Sequence, residues 1–479
     1  CQFVMTCRIA AREYTFDQFT EEEVADFNEE QIAEFATKWF AAKRDPEKGK
    51  NFIQRLKDNA PIQELATTPL LLTLLCLVFG EAADFPANRS ELYEEGLDVL
   101  LKKWDAKRNI ERDQVYKKLS LKRKEDLLSQ LAFDTFEQGN YFFKQSVVEQ
   151  QIIDYIRNLP GAHEDEEALQ LDSAAVLKSI EAQHGLLVER ARGIYSFSHL
   201  TFHEYFAAKQ ITRPTAKLAQ ALENLVAHLT EKRYREIFLL TVGMLPEASD
   251  LIILMKRQID SLIIDNVALQ AILTWADQKS QSVSTACKPV AIRAFYLAFA
   301  LDIKRMLTIE HDLAFALDYN LKRDYTLNSI LDRDYNLVLA FVWAAALNLE
   351  SDFFRHNFDQ ELNSALESVN VSDSALKLEI ESLRSQLPDK KDEKAFNQWW
   401  RNEQGTLWIT QLRTVMIEYC DIGHNWQLDN EKLVEVNHFY SGNKLLIDCL
   451  NSDCYINKIT RQQIEVTLLL PISEIEKRR

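Results

Sequence analysis

The stretch HGLLVERARGIYSFSHLTFHEYFAAKQI, His184–Ile211, decides how this chain is read. Leu186–Val188 form a short apolar run, Glu189–Gly193 read as a polar turn, and Tyr195 and Phe197 share one face of the run Ile194–Phe197. Two such runs around a turn that ends in glycine predict a β-hairpin. The segment that follows, LTFHEYFAAKQI, reads as a helix. A helical lead-in, a hairpin and a closing helix make the pattern of a winged helix. The same stretch sets His199 and His203 four residues apart, a spacing that puts two imidazoles on one helix face, where they could share a metal. The zinc-protease pattern needs Glu directly after the first His, where Leu200 stands; its inverted form needs Glu at 202, where Phe202 stands. A metal helix is therefore the weaker reading, and His203 is expected on a partly exposed face.

Working outward, the chain reads as mainly α. Only 11 Gly and 10 Pro punctuate 479 residues, and apolar residues recur at helical spacing nearly throughout. In NEEQIAEFATKWFAA, Ile32, Phe35, Trp39 and Phe40 form one stripe behind an acidic first turn. Pro61 and Pro69 suit helix starts, Gly80 suits a C-cap, a further helix begins after Asn88 or Ser90, and Ser146 suits an N-cap. Beyond Pro289, Leu-Asp recurs at 301, 317 and 331, too irregularly for a solenoid; a degenerate helical array is predicted.

The 56 basic and 73 acidic residues give a net charge of −17, which opposes general attraction to nucleic acid or anionic lipid. The longest apolar run, Pro69–Phe79, is too short to span a bilayer. Seven scattered cysteines fit a reducing, cytoplasmic setting better than a disulfide framework. The opening CQFVMTCRIAAREY reads as a cut end, with Gln2–Thr6 as a buried strand whose sheet lies upstream. No phosphate-loop motif, dinucleotide fingerprint or nucleophile elbow occurs, so nucleotide hydrolysis is not expected of the chain as it stands. Cys420, His424, His438, Cys449 and Cys454 match no metal spacing, and read as buried thiols and surface histidines.

Four segments, FVMTCRIAAREYTF (3–16), ELATTPLLLTLLCLVF (64–79), RSELYEEGLDVLLKKWD (89–105) and YSFSHLTFHEYFAAKQI (195–211), closely resemble in this order the NACHT class of signal-transducing, AAA-like STAND ATPases. The tail from 290, including MIEYCDIGHNWQL and LLIDCLNSDCYINKITRQQIEVTLLLPISEIEK, is similar to the C-terminal helical domain of cyanobacterial NACHT proteins. The resemblance implies five parts: the end of the nucleotide-binding domain (1–26), a helical domain (27–87), a winged helix (88–212), a helical linker (213–289) and the C-terminal helical domain (290–479). It implies ATP or ADP with Mg²⁺ as the cofactor of the full-length parent, a slow NTPase. Arg8 corresponds to the sensor arginine at the γ-phosphate, a role suited to a planar guanidinium. Pro69 corresponds to the proline that packs on adenine, and His199 to the winged-helix histidine that contacts the β-phosphate of ADP and locks the closed state. Each has a simpler alternative: a helix-capping or salt-bridging Arg8, Pro69 at the first position of a helix, and a core or capping His199 at the end of the hairpin. The resemblance further implies self-association on activation, a ligand sensed by the C-terminal helices, and a place in bacterial defence or signalling. A winged-helix regulator that binds nucleic acid, or a passive helical scaffold, is the alternative.

Overall fold

The computed structural model describes residues 26–86, 88–107, 120–159, 166–184, 186–300, 312–318, 321, 329–346, 352–369, 374–388, 393–426, 428–452 and 454–478. The chain divides into two compact units, one of residues 1–254 with 452–456 and one of 255–451 with 457–479. Among the described residues it is mainly helical, with one small antiparallel sheet.

Among its described residues the first unit opens with α1 (Glu29–Ala42), α2 (Pro46–Lys57), α3 (Ala60–Ala66) and α4 (Pro69–Ala82). α1 starts on a capping box in which the side chains of Asn28 and Gln31 each accept the other's backbone N–H, at 2.9 and 3.0 Å. Of the predicted stripe, Ile32 and Phe40 are buried, while Phe35 and Trp39 stack on each other half-exposed. Gly80 does not end α4: the helix runs on to Ala82, Ala83 takes the left-handed cap, and the Gly80 carbonyl accepts the Lys48 ammonium at 2.8 Å.

The winged helix follows as α5 (Arg89–Lys107), α6 (Leu121–Glu137), β1 (Phe143–Lys144), α7 (Gln145–Arg157), α8 (Glu166–His184), β2 (Leu187–Ala191), β3 (Ile194–Phe197) and α9 (Leu200–Ile211). The Asn88 side chain caps α5 through the Glu91 N–H at 2.9 Å. The hairpin is tighter than the sequence suggested. β2 continues through Glu189–Ala191 with a register shift between Glu189 and Ala191, leaving a two-residue turn at Arg192 and Gly193. Its polar residues hold the turn: the Glu189 carboxylate accepts the Gly193 N–H at 2.6 Å, and Arg190 donates to Ser196 Oγ at 2.9 Å and to the Ser198 carbonyl at 2.8 Å.

The sheet order is β1-β3-β2, so the hairpin carries a third strand that the sequence reading did not foresee. Phe143 pairs with Tyr195, and the chain passes directly from this strand into α7, with the Gln145 N–H donating to the Gly193 carbonyl at 2.8 Å. Lys144, not Ser146, is therefore the residue that precedes the helix. Gly193 has φ +71° and open space around its Cβ position. Gly193→Ala is expected to cost about 1 kcal/mol through backbone strain alone, measured as a shift in the unfolding midpoint.

The first unit continues through α10 (Leu218–Ala227) and α11 (Arg235–Met244) to the start of α12 (Ser249–Ser261). The second unit contains α13 (Val267–Ser282), α14 (Pro289–Ala300), α15 (Asp312–Leu317), α16 (Ser329–Ala346), α17 (Asp352–Ser368), α18 (Ser374–Ser385), α19 (Glu393–Arg401), α20 (Glu403–Cys420), α21 (Asn430–Asn451), α22 (Lys458–Thr467) and α23 (Ile472–Arg478). The recurring Leu-Asp pairs acquire a physical meaning here. Leu317 and Leu331 are buried, and the aspartate after each ties down a neighbour: Asp318 accepts the Lys288 N–H at 2.9 Å ahead of α14, and Asp332 accepts the Ser368 hydroxyl at the end of α17. The pair at 301 lies outside the described residues. No helix among the described residues is long and apolar enough to cross a membrane.

Candidate functional site

α9 is the element that positions the central candidate. Phe202, His203, Tyr205, Phe206, Ala207, Ala208 and Ile211 are buried along it, and the helix packs on α6 and α11. Fixing the helix in this way also fixes the residue that caps it. His199 is the N-cap, exposed, with extended backbone at φ −132° and ψ 142°. Its carbonyl accepts the N–H groups of Phe202 and His203 at 3.2 and 3.4 Å, and its ring meets Phe202 edge-on at 5.9 Å. The first turn of α9 carries no acidic residue. A helix N-terminus attracts anions through its aligned peptide dipoles, and an acid-free first turn keeps that attraction. An exposed imidazole at this end fits a phosphate oxygen as hydrogen-bond partner.

His203 differs from its expected place. It is 2% exposed rather than partly exposed. Nε2 lies 3.0 Å from the Ala132 carbonyl and 2.9 Å from Thr135 Oγ1. Because a carbonyl only accepts, we assign the proton to Nε2, and the Thr135 O–H donates to the Leu131 carbonyl at 2.7 Å. The ring stacks on Phe197 at 4.7 Å and meets Phe136 edge-on at 5.5 Å. Burial pushes its pKa down to about 4, against the smaller opposing pull of the Ala132 carbonyl. It is a neutral core residue that joins the hairpin to α6. The signal was in the sequence: Ala207 and Ile211 follow it at spacings of four and are buried with it.

Pro69 opens α4 after an extended Thr68 and is exposed. This is the arrangement of a proline at the first helical position, which also leaves its ring accessible to a ligand. Pro69 and His199 belong to the same unit, and their helices are linked through others: α4 packs on α5, α5 on α11, and α11 on α9. The α5–α11 junction includes an Arg89–Glu236 ion pair at 2.5 Å, which sequence reasoning did not single out. Arg8 lies outside the described residues.

Of the cysteines and histidines weighed as metal ligands, Cys420 and Cys449 are buried and Cys454 is half-buried. His424 bonds the Asp421 carboxylate at 2.7 Å and packs against Trp275 and Trp426. Among the described residues, no three His, Cys, Asp or Glu side chains converge to hold a metal ion.

Two family models match the chain. Residues 89–211 match the winged helix-turn-helix domain C-terminal to NACHT. Residues 376–471 match the NACHT C-terminal helical domain 2. The chain thus carries two domains that accompany a NACHT domain, and these point to a signalling role of the STAND type. No curated protein matches the chain.

Proposed function

We propose that this chain is the C-terminal part of a NACHT-type STAND ATPase switch, controlled by ADP and ATP, in which the winged helix acts as the latch. The reading rests chiefly on His199, an exposed imidazole at the acid-free start of a helix that a buried face holds rigidly. In the full-length parent, His199 would donate a hydrogen bond to the β-phosphate of ADP, Pro69 would pack on the adenine, and Arg8 would meet the γ-phosphate of ATP. Bound nucleotide would supply the phosphate charge that His199 and Arg8 recognise and the adenine ring against which Pro69 packs, and Mg²⁺ would be held by the nucleotide-binding domain.

His199 can reach such a phosphate only while the winged helix is docked on the nucleotide-binding domain, so the bond favours the closed state. Opening requires a ligand with greater affinity for the open state, and a differential of about 10⁴-fold would reverse a 99:1 population. In this reading the C-terminal helices bind that ligand, and the open, ATP-bound form self-associates in a cytoplasmic setting such as bacterial defence. The test is the ADP content of the purified full-length parent. Wild type is expected to retain ADP and His199→Ala to lose most of it; equal retention would remove the latch.

A further inference from the structure

The second unit contains an open cleft of about 630 Å³ between the start of α13 and the start of α21, within the size range of ligand sites. Four carboxylates, Asp265, Asp429, Glu431 and Glu435, line it against a single Lys432, and Trp426 forms part of the wall. Asp429 is committed elsewhere: it accepts the Lys432 N–H at 2.9 Å and pairs with the Lys432 ammonium at 3.1 Å. That leaves Asp265, Glu431 and Glu435 to set the sign of the cleft. The walls are braced, because Asn266 caps α13 through the Leu269 N–H at 2.8 Å and donates to Glu435 at 2.5 Å. Trp426 is half-exposed and held against Trp275 at 5.6 Å. Apolar surface continues beside the acids: Val267 in the cleft is 82% exposed, and Ile264 and Val434, each next to a lining carboxylate in sequence, are 59% and 51% exposed.

We propose that this cleft docks a basic peptide segment of a partner protein, one in which arginine or lysine alternates with apolar side chains. The carboxylates are spread along the cleft and do not converge in threes, which suits charges distributed along a polypeptide better than a single metal ion. An indole face beside carboxylates adds cation–π attraction for a guanidinium, and the exposed aliphatic residues receive the intervening side chains. Negative lining repels nucleic acid and anionic lipid. A second copy of a chain with net charge −17 presents mostly like charge. The proposal rests on the reading of the C-terminal helices as the sensing region and gives that region a ligand class.

The experiment is fluorescence anisotropy of a short fluorescein-labelled peptide of alternating arginine and leucine, titrated with this chain. Asp265→Lys combined with Glu431→Lys is expected to weaken binding about tenfold or more, and Trp426→Ala at least about threefold. Glu379→Lys combined with Glu381→Lys makes the same charge change on the exposed face of α18 and should alter affinity less than about twofold. A peptide with glutamate in place of arginine should not bind. No binding of the basic peptide, or equal loss in both double variants, overturns the proposal. So does sedimentation showing self-association that the Asp265→Lys, Glu431→Lys variant abolishes, since the occupant would then be a second copy. Peptide binding is read on this chain and ADP retention on the full-length parent, so an absent peptide complex beside a His199-dependent ADP content removes the cleft and leaves the latch.

Discussion

Replacing Asp334 by alanine is expected to destabilise the second unit by about 3–5 kcal/mol, the cost of removing one partner from a buried ionic cluster. Asp334 is fully buried on α16. It accepts Lys279 of α13 at 3.2 Å, the Tyr296 hydroxyl of α14 at 2.9 Å, and the neighbouring Arg333 at 2.7 and 3.0 Å. Lys279 also donates to the Cys420 carbonyl at the end of α20 at 2.7 Å and lies 4.8 Å from the centre of the Tyr296 ring. One carboxylate therefore organises four helices. Its removal leaves two cations, Lys279 and Arg333, without it in a region where each is less than a tenth exposed. Burial, then the nearby Asp334 charge, pushes the Tyr296 phenol far above its ordinary range, so the phenol stays a donor and cannot substitute as a counter-charge. Asp334→Asn keeps an acceptor while losing the charge, and a smaller loss is expected. Six of the eight tryptophans, at 275, 343, 399, 400, 408 and 426, lie in this unit, so denaturation followed by tryptophan fluorescence reports on it. A change below about 1 kcal/mol for Asp334→Ala would show that the cluster does not hold the helices together.

Acidification from pH 6.5 to pH 4 is expected to weaken the winged helix by about 3 kcal/mol through His203 alone. The sign follows from where the proton binds. His203 has a folded pKa depressed to about 4 against an ordinary 6.5, so between these values the unfolded chain takes up a proton that the folded one refuses. The full stability is present above pH 6.5 and is lost as pH falls toward 4. His203→Gln can still donate to the Ala132 carbonyl but cannot ionise, so the variant should lose this part of the acid sensitivity. Amide exchange in the peptide spanning 200–211 measures it locally, and an identical pH dependence in wild type and variant would contradict the assignment.

The sequence made the winged helix legible because Gly193, Tyr195 and Phe197 impose a hairpin between helical patterns, and the structure has that hairpin. The third strand was hidden. Phe143–Lys144 is two residues long, too short for any alternation, and exists because the Gly193 carbonyl and Tyr195 are there to pair with. His203 is hard to place from sequence for a related reason: a polar residue reads as exterior although its neighbours at spacings of four are apolar, and the Ala132 carbonyl and Thr135 hydroxyl across the interface show how it is satisfied. At the candidate site, His199 could be read as the end of a hairpin and the start of a helix. Its exposure and the rigidity of α9 depend on α6 and α11, distant in sequence. The Asp334 cluster was legible only at its adjacent Arg333, since Lys279 and Tyr296 arrive from other helices.

The proposed latch works only if His199 holds ADP. Its most direct test is the release of a fluorescent ADP analogue from the full-length parent, chased with unlabelled ADP, in wild type and in His199→Ala. Loss of one hydrogen bond to a charged phosphate, about 1.5–3 kcal/mol, predicts release about tenfold to a hundredfold faster in the variant, with the winged helix still folded by amide exchange. Release at the wild-type rate from a folded His199→Ala protein would contradict the latch.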